Sequence, residues 1–325
     1  APDTLPAAKA DRVRKESTGG AYIGFGPVAI AARFDEVRSF DGTRLAWSSA
    51  GDGDLAVVLA NGIACSDTYW TYLHPYLVER GHKVVFWDYR AHGRSGPPVN
   101  PNEITLSSHA RDLLAVADAA GVERAVLVGH SMGVQTILEV YRIFPSLVAG
   151  LIPVAGPYEH PAKTLYGVPF WHYLFPFMEL SVMPVPWLTR AAWGSLTERA
   201  DLLYWSGRAG RLISGRASRP LMAEYFAHLS QLDPLVSFRM AKAMGEHSAR
   251  DLLSEIEVPA LVLAGAKDVM SPPKLAEEMA EVIPNARLEI LPEGSHTLPI
   301  DEPDRINRLV EEFVTEVERT ERGRR

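Results

Sequence analysis

The chain predicts an α/β fold: a mostly parallel sheet flanked by helices, with one inserted helical segment. Three observations carry this. Short apolar, β-branched runs alternate with amphipathic stretches over residues 56–155 and again over 260–318, the order expected of βαβ units. Those runs are apolar at nearly every position, as strands covered on both faces must be. Between about Gly156 and Leu253 the alternation stops and no further run of this kind occurs.

The elements follow in order. Residues 1–20 are polar and aperiodic, the pattern of a loosely ordered end. Residues 1–33 are expected to form an N-terminal extension, with the mildly apolar Ala21–Ala32 packing on the domain edge. Glu36 to Ser48 alternates around Asp41-Gly42, a hairpin signal. Ala56–Ala60 and Lys83–Trp87 read as strands, and Thr71–Arg80 between them as a helix stopped by Gly81. Leu106–Ala120 is amphipathic and stops at Gly121. Ala125–Val128 is a strand, and Val134–Phe144 a helix with Val134, Ile137, Leu138 and Tyr141 at helical spacing. Leu151–Ala155, Ala260–Ala264 and Arg287–Leu291 complete the strands, and Asp304–Glu318 is a closing helix.

Residues 34–156 and 254–325 are therefore expected to form one sheet domain, with 157–253 as a helical cap upon it. Part of that insertion, Pro169 to Gly194, is rich in aromatics: Phe170, Trp171, Tyr173, Phe175, Phe177, Trp187 and Trp193. Pro176, Pro184 and Pro186 break it into short helical pieces, so it does not read as a membrane span.

Composition excludes several function classes. Of 325 residues, 47% are hydrophobic and 22% charged, ordinary for a soluble globular chain. The net charge of −7 leaves no excess of cations to neutralise phosphates, so no nucleic-acid partner is expected. Cys65 is the single cysteine, which excludes an intrachain disulfide or a cysteine-based zinc site. With no leader visible, it leans the expected location to the cytoplasm, an exported form with a removed signal peptide being the alternative. No uncharged apolar run is long enough to span a bilayer. His74, His82, His109 and His160 show no metal-ligand spacing, and neither a metal nor an organic cofactor is expected.

The chemistry concentrates at Gly129-His130-Ser131-Met132-Gly133, which fits G-x-S-x-G between a strand and a helix. Glycines on either side let strand and helix close tightly around a serine in strained backbone. That turn would push the Ser131 hydroxyl out at the top of the sheet, beside the first helical N–H groups. A serine hydroxyl needs a base, and the base an orienting partner. Two later strands end in candidates. Ala260–Ala264 runs into Gly265-Ala266-Lys267-Asp268, and Leu288–Leu291 into Gly294-Ser295-His296. Carboxyl ends of strands are where open α/β sheets build sites.

These motifs resemble the α/β-hydrolase-fold superfamily, in its serine hydrolases with a helical cap. The likeness covers roughly residues 34–318. Besides the serine motif, Gly265–Pro272, Ser295-His296 with Pro303 downstream, and Asp88-Tyr89-Arg90-Ala91-His92-Gly93-Arg94-Ser95 match its pattern. The resemblance implies Ser131 as nucleophile, His296 as base and Asp268 as its partner, with Glu159 as the runner-up acid. It implies an oxyanion hole from the backbone N–H groups of Met132 and Ile63. Many relatives carry His-Gly where this chain has Asn61-Gly62, which puts the side-chain support of that loop in doubt. An aspartate nucleophile, as in the epoxide hydrolases of the fold, is excluded by Ser131.

The expected substrate is a small hydrophobic ester with an acyl or aromatic group, bound by Trp171, Phe175, Trp187 and Trp193. About half of the cap aromatics are expected to serve only the cap's own packing. The alternatives are thioesters, lactones and carbon–carbon bonds, or a ligand receptor, or membrane-surface contact through the cap. Oligomeric state is not legible.

Overall fold

In a computed structural model of the chain, residues 21–25, 28–161 and 186–324 are described. The strands are β1 (Ala21–Phe25), β2 (Val28–Arg38), β3 (Arg44–Ala50), β4 (Ala56–Ala60), β5 (Lys83–Trp87), β6 (Ala125–His130), β7 (Val148–Val154), β8 (Ala260–Gly265) and β9 (Ala286–Leu291). The helices are α1 (Leu73–Glu79), α2 (Leu106–Ala119), α3 (Met132–Ile143), α4 (Pro186–Thr197), α5 (Ala200–Ala209), α6 (Arg219–Gln231), α7 (Pro234–Glu246), α8 (Pro273–Val282), the short α9 (Leu298–Asp301) and α10 (Pro303–Arg324).

One sheet runs in the order β1-β2-β3-β5-β4-β6-β7-β8-β9. The first three neighbouring pairs are antiparallel, and every pair from β5 to β9 is parallel. Every residue of β4, β6, β7 and β8 is buried, which explains why their sequences do not alternate. Successive side chains feed two cores. Val58, Ala60, Leu127 and Val262 meet α2, α3 and α8 on one face. Val57, Leu59, Val126 and Val128 meet α1 and α10 on the other. From α10, Ile306, Val310, Phe313, Val314 and Val317 lie on that second face, and burying Phe313 alone contributes about 2–3 kcal/mol.

The order reverses between β4 and β6. The chain passes from β4 outward to β5 and returns to β6 on the other side. The crevice at the carboxyl ends of these two strands is the topological switch point, where such sheets bind ligands. Asn61 follows β4 there, and Ser131 follows β6.

Several boundaries differ from expectation. β2 starts at Val28, so the chain enters the sheet without a break at residue 34, and Ala21–Ala32 contributes a whole edge strand and the start of the next. α10 continues past Glu318 to Arg324. Its last turns are polar, but Glu318 meets His82 at 3.2 Å and Glu321 meets Arg124 at 2.7 Å. α8 is absent from the sequence reading. It opens with Pro273 as its first helical residue, where a missing N–H costs nothing.

Helices α4 to α7 build a separate layer. Tyr204, Ile213, Ala217, Met222 and Phe226 form its apolar centre, which closes on Cys65, Tyr69 and Ile300 of the sheet domain. Among the described residues of 157–253 there is no strand, only a bridge between Glu159 and Ser248. No helix of the described residues is long and apolar enough to cross a membrane.

Candidate active site

β6 ends at His130 and α3 begins at Met132, leaving Ser131 alone in the turn with φ 54° and ψ −120°. L-residues rarely adopt positive φ. The flanking glycines make the turn possible. A Cβ on Gly129 would lie 2.3 Å from the Gly133 carbonyl oxygen, and one on Gly133 would lie 2.3 Å from that of Ala60. The elbow and the end of β4 are thus in backbone contact.

Three predicted residues come together here. Ser131 Oγ lies 3.0 Å from His296 Nε2, and His296 Nδ1 lies 3.0 Å from Asp268 Oδ2. All three are buried. The other carboxylate oxygen of Asp268 accepts from the N–H groups of Met270 and Ser271, both at 2.8 Å. Asp268 therefore anchors its own loop and faces the imidazole at once. Glu159, the runner-up acid, is engaged elsewhere: its carboxylate binds Arg250 at 2.7 Å and accepts from Ser248 Oγ at 3.1 Å.

The loop after β4 stands against the elbow. A Cβ on Gly62 would lie 3.1 Å from Ser131 Cβ. Ile63 follows Gly62 in this loop, and Met132, the first residue of α3, follows the serine. Asn61 takes over the side-chain support. Its Oδ1 accepts from Trp70 Nε1 at 2.7 Å, its Nδ2 donates to the Cys65 carbonyl at 3.4 Å, and its own carbonyl accepts from Tyr89 OH at 2.9 Å.

His130 donates from Nε2 to the His296 carbonyl at 2.8 Å and stacks on Tyr69 with centroids 4.6 Å apart. Burial, with the facing His296 imidazole adding to it, pushes His130 down to about 3. A neutral ring thus braces the backbone of His296. Burial pushes the Cys65 thiol well up, the opposite of what a reactive thiolate needs. The loop from Asp88 to Ser95 is a structural clamp. Asp88 accepts from Arg94 N and Nε, both at 2.9 Å, and the fully buried Arg90 forks onto Asp112 at 2.8 and 2.6 Å. Among the described residues no cluster of His, Cys, Asp and Glu could hold a metal.

The predicted aromatic contacts fare differently. Trp171 and Phe175 lie outside the described residues. Trp187 is 70% exposed among the described residues. Its place, six residues before Trp193, turns it about 120° around the helix from that half-buried ring. Trp193 donates its indole N–H to the Leu229 carbonyl at 3.1 Å, joining α4 to α6. Sequence reasoning missed Asp301, which accepts hydrogen bonds from both neighbours of His296. The only signal was an acidic residue five positions after that histidine.

The description "Alpha/beta hydrolase family" matches residues 57–309. A protein of Pseudomonas savastanoi pv. phaseolicola, provisionally named carbamate hydrolase RutD, is 26% identical over 264 residues, covering 79% of this chain and 93% of that one. Among solved structures, an esterase from Exiguobacterium antarcticum superposes with a TM-score of 0.70 at 22% identity, over 87% of this chain and 100% of that one. Est816, described as an N-acyl homoserine lactone degrading enzyme, gives 0.65 at 25% identity, over 86% and 100%. A match spanning both halves of the sheet, around a strand order and a serine turn of this geometry, settles the wider question: the chain belongs to the alpha/beta hydrolase family.

Proposed function

We propose that this chain is a serine hydrolase that cleaves carboxylic esters of hydrophobic acyl or aromatic substrates through an acyl-enzyme. The observation that carries the reading is the relay from Ser131 Oγ to His296 Nε2 and from His296 Nδ1 to Asp268, each step 3.0 Å. Ser131 attacks the acyl carbonyl while His296 takes its proton and then returns it to the leaving alcohol. Asp268 holds the imidazole with Nδ1 protonated and stabilises the imidazolium. The N–H groups of Ile63 and Met132 receive the charge developing on the carbonyl oxygen. Water then repeats the sequence on the acyl-enzyme.

Residues 157–253 act as the cap. Tyr69 and Tyr225, edge to face at 5.7 Å, belong with Cys65 to the apolar cluster between the serine loop and the helical layer. Such surroundings favour an apolar acyl or aromatic group over a sugar or phosphate. The buried, unpaired Cys65 suits a reducing compartment such as the cytoplasm. A lactone is the second reading, because Est816 carries that activity in its description.

The test is turnover of p-nitrophenyl esters of increasing acyl length, with and without Ser131→Ala. A rate with a chain-length optimum is expected, falling on the order of 10⁶-fold in the variant. Substantial turnover by Ser131→Ala would refute the nucleophile. A folded protein active only on lactones would shift the substrate class and leave the relay intact.

A further inference from the structure

Asp301 closes α9 and is buried. Its Oδ2 accepts from Ser295 N at 2.8 Å and Ser295 Oγ at 2.7 Å, and its Oδ1 accepts from Thr297 Oγ1 at 2.8 Å. These two residues are the immediate chain neighbours of His296. The fourth donor comes from another part of the molecule: Ser214 Oγ, in the segment between α5 and α6, also donates to Oδ1. Among the described residues no Lys, Arg or His lies within ion-pair distance of this carboxylate. Burying a carboxylate without a cation is costly unless hydrogen bonds replace its water. Here neutral donors do so, and one of the four belongs to the helical layer.

Two further contacts tie the same places together. Ile300, next to Asp301, and Ile213, next to Ser214, belong to the one apolar cluster that joins the layer to the sheet domain. Ser214 is itself fixed, since its Oγ accepts from Arg216 N at 3.0 Å and Ala217 N at 3.2 Å. The opposite side of the turn is held by His130 on the His296 carbonyl.

We infer that Asp301 is a positioning residue that joins the His296 turn to the helical layer, so that the seating of the layer sets the alignment of the base. The inference rests on the proposed role of His296. Ser214 reports the position of the layer, Asp301 receives it, and Ser295 and Thr297 pass it to the imidazole between them. A substrate that lifts or settles the layer then changes the rate of proton transfer as well as binding.

The chemistry of the contacts separates the variants. In Asp301→Asn the amide oxygen can keep the Ser295 donors. Its NH₂ faces two hydroxyls, of which Thr297 can turn to accept. Ser214 already accepts two N–H groups and is poorly placed to accept a third. Asp301→Asn should therefore resemble Ser214→Ala, while Asp301→Ala frees the whole turn.

The experiment measures kcat and KM of the full chain on a p-nitrophenyl ester, and the NMR shifts of the His296 side-chain nitrogens in histidine-labelled protein, assigned with His296→Gln. Ser214→Ala and Asp301→Asn should each lower kcat roughly fivefold, the equivalent of one ordinary hydrogen bond, with KM little changed. The double variant should be no worse than either single one, because both break the same link. Asp301→Ala should lose on the order of 10²-fold, as for a base displaced by about 1 Å. The His296 shifts should move in every one of these variants. Losses that multiply in the double variant, or His296 shifts unmoved by Ser214→Ala, would overturn the inference. Absence of Ser131-dependent turnover in the wild type would instead overturn the serine hydrolase reading, and the His296 shifts would still decide the link.

Discussion

Strands β4, β6, β7 and β8 bury every one of their residues, whereas α4 and α5 leave Trp187, Leu188, Leu196, Leu202 and Trp205 between 47% and 70% exposed. Among the described residues, the chain thus contains a region packed from both sides and one that leaves large apolar side chains exposed. Ser131, Asp268 and His296 all lie past the ends of strands in the first, and around Ser131 a Cβ added to Gly129 or Gly133 would lie 2.3 Å from a backbone oxygen. The helical layer contributes apolar surface and the Ser214 hydrogen bond to Asp301. On the proposed reading, chemistry that depends on alignment sits where packing fixes position.

The sharpest way to break this comparison is to ask which side supplies the acid. Asp268→Asn should lower kcat on the order of 10⁴-fold by presenting the wrong imidazole tautomer. Glu159→Gln, at the root of the helical layer, should leave kcat unchanged and loosen only the link to Arg250. The reverse result in ester turnover would move the acid off the sheet.

Acid should expose the same asymmetry in stability. Burial depresses His130 to about 3, His92 and His74 to about 4, and lowers His109, all in the sheet domain. In the helical layer it lowers His228. The unfolded chain takes up these protons near pH 6.5, while the native state refuses them until about 3–4. Stability is therefore full above about pH 6.5 and declines as pH falls toward 4, by about 1 kcal/mol per pH unit for each such histidine. Urea unfolding across this range would show the decline, and a flat profile would contradict it. The smallest effect belongs to Trp187→Ala. With its ring in solvent, turnover should stay within about twofold and the midpoint of unfolding nearly constant. A large loss of activity would mean that the ring meets substrate after all.

The rigid half was the more legible in the sequence. Gly129 and Gly133 announce the turn because the backbone there has no space for Cβ atoms, and Asp268 and His296 stand where strands end. The closing helix was read short because its last turns are held by ion pairs from Glu318 and Glu321 rather than by an apolar stripe. Asp301 was invisible because its partners, at 214, 295 and 297, only converge in space. An aromatic count does not say which side of a helix each ring faces: Trp187 is 70% exposed while Trp193 is half-buried.

The positive φ of Ser131 carries a last consequence. Every residue with a Cβ is strained there, by on the order of 1–3 kcal/mol, and glycine alone would relax. Ser131→Gly should thus yield a protein that folds better than the natural chain and does nothing. On the proposed reading, the fold and the reaction make opposing demands at this position, and the residue present is the less comfortable one.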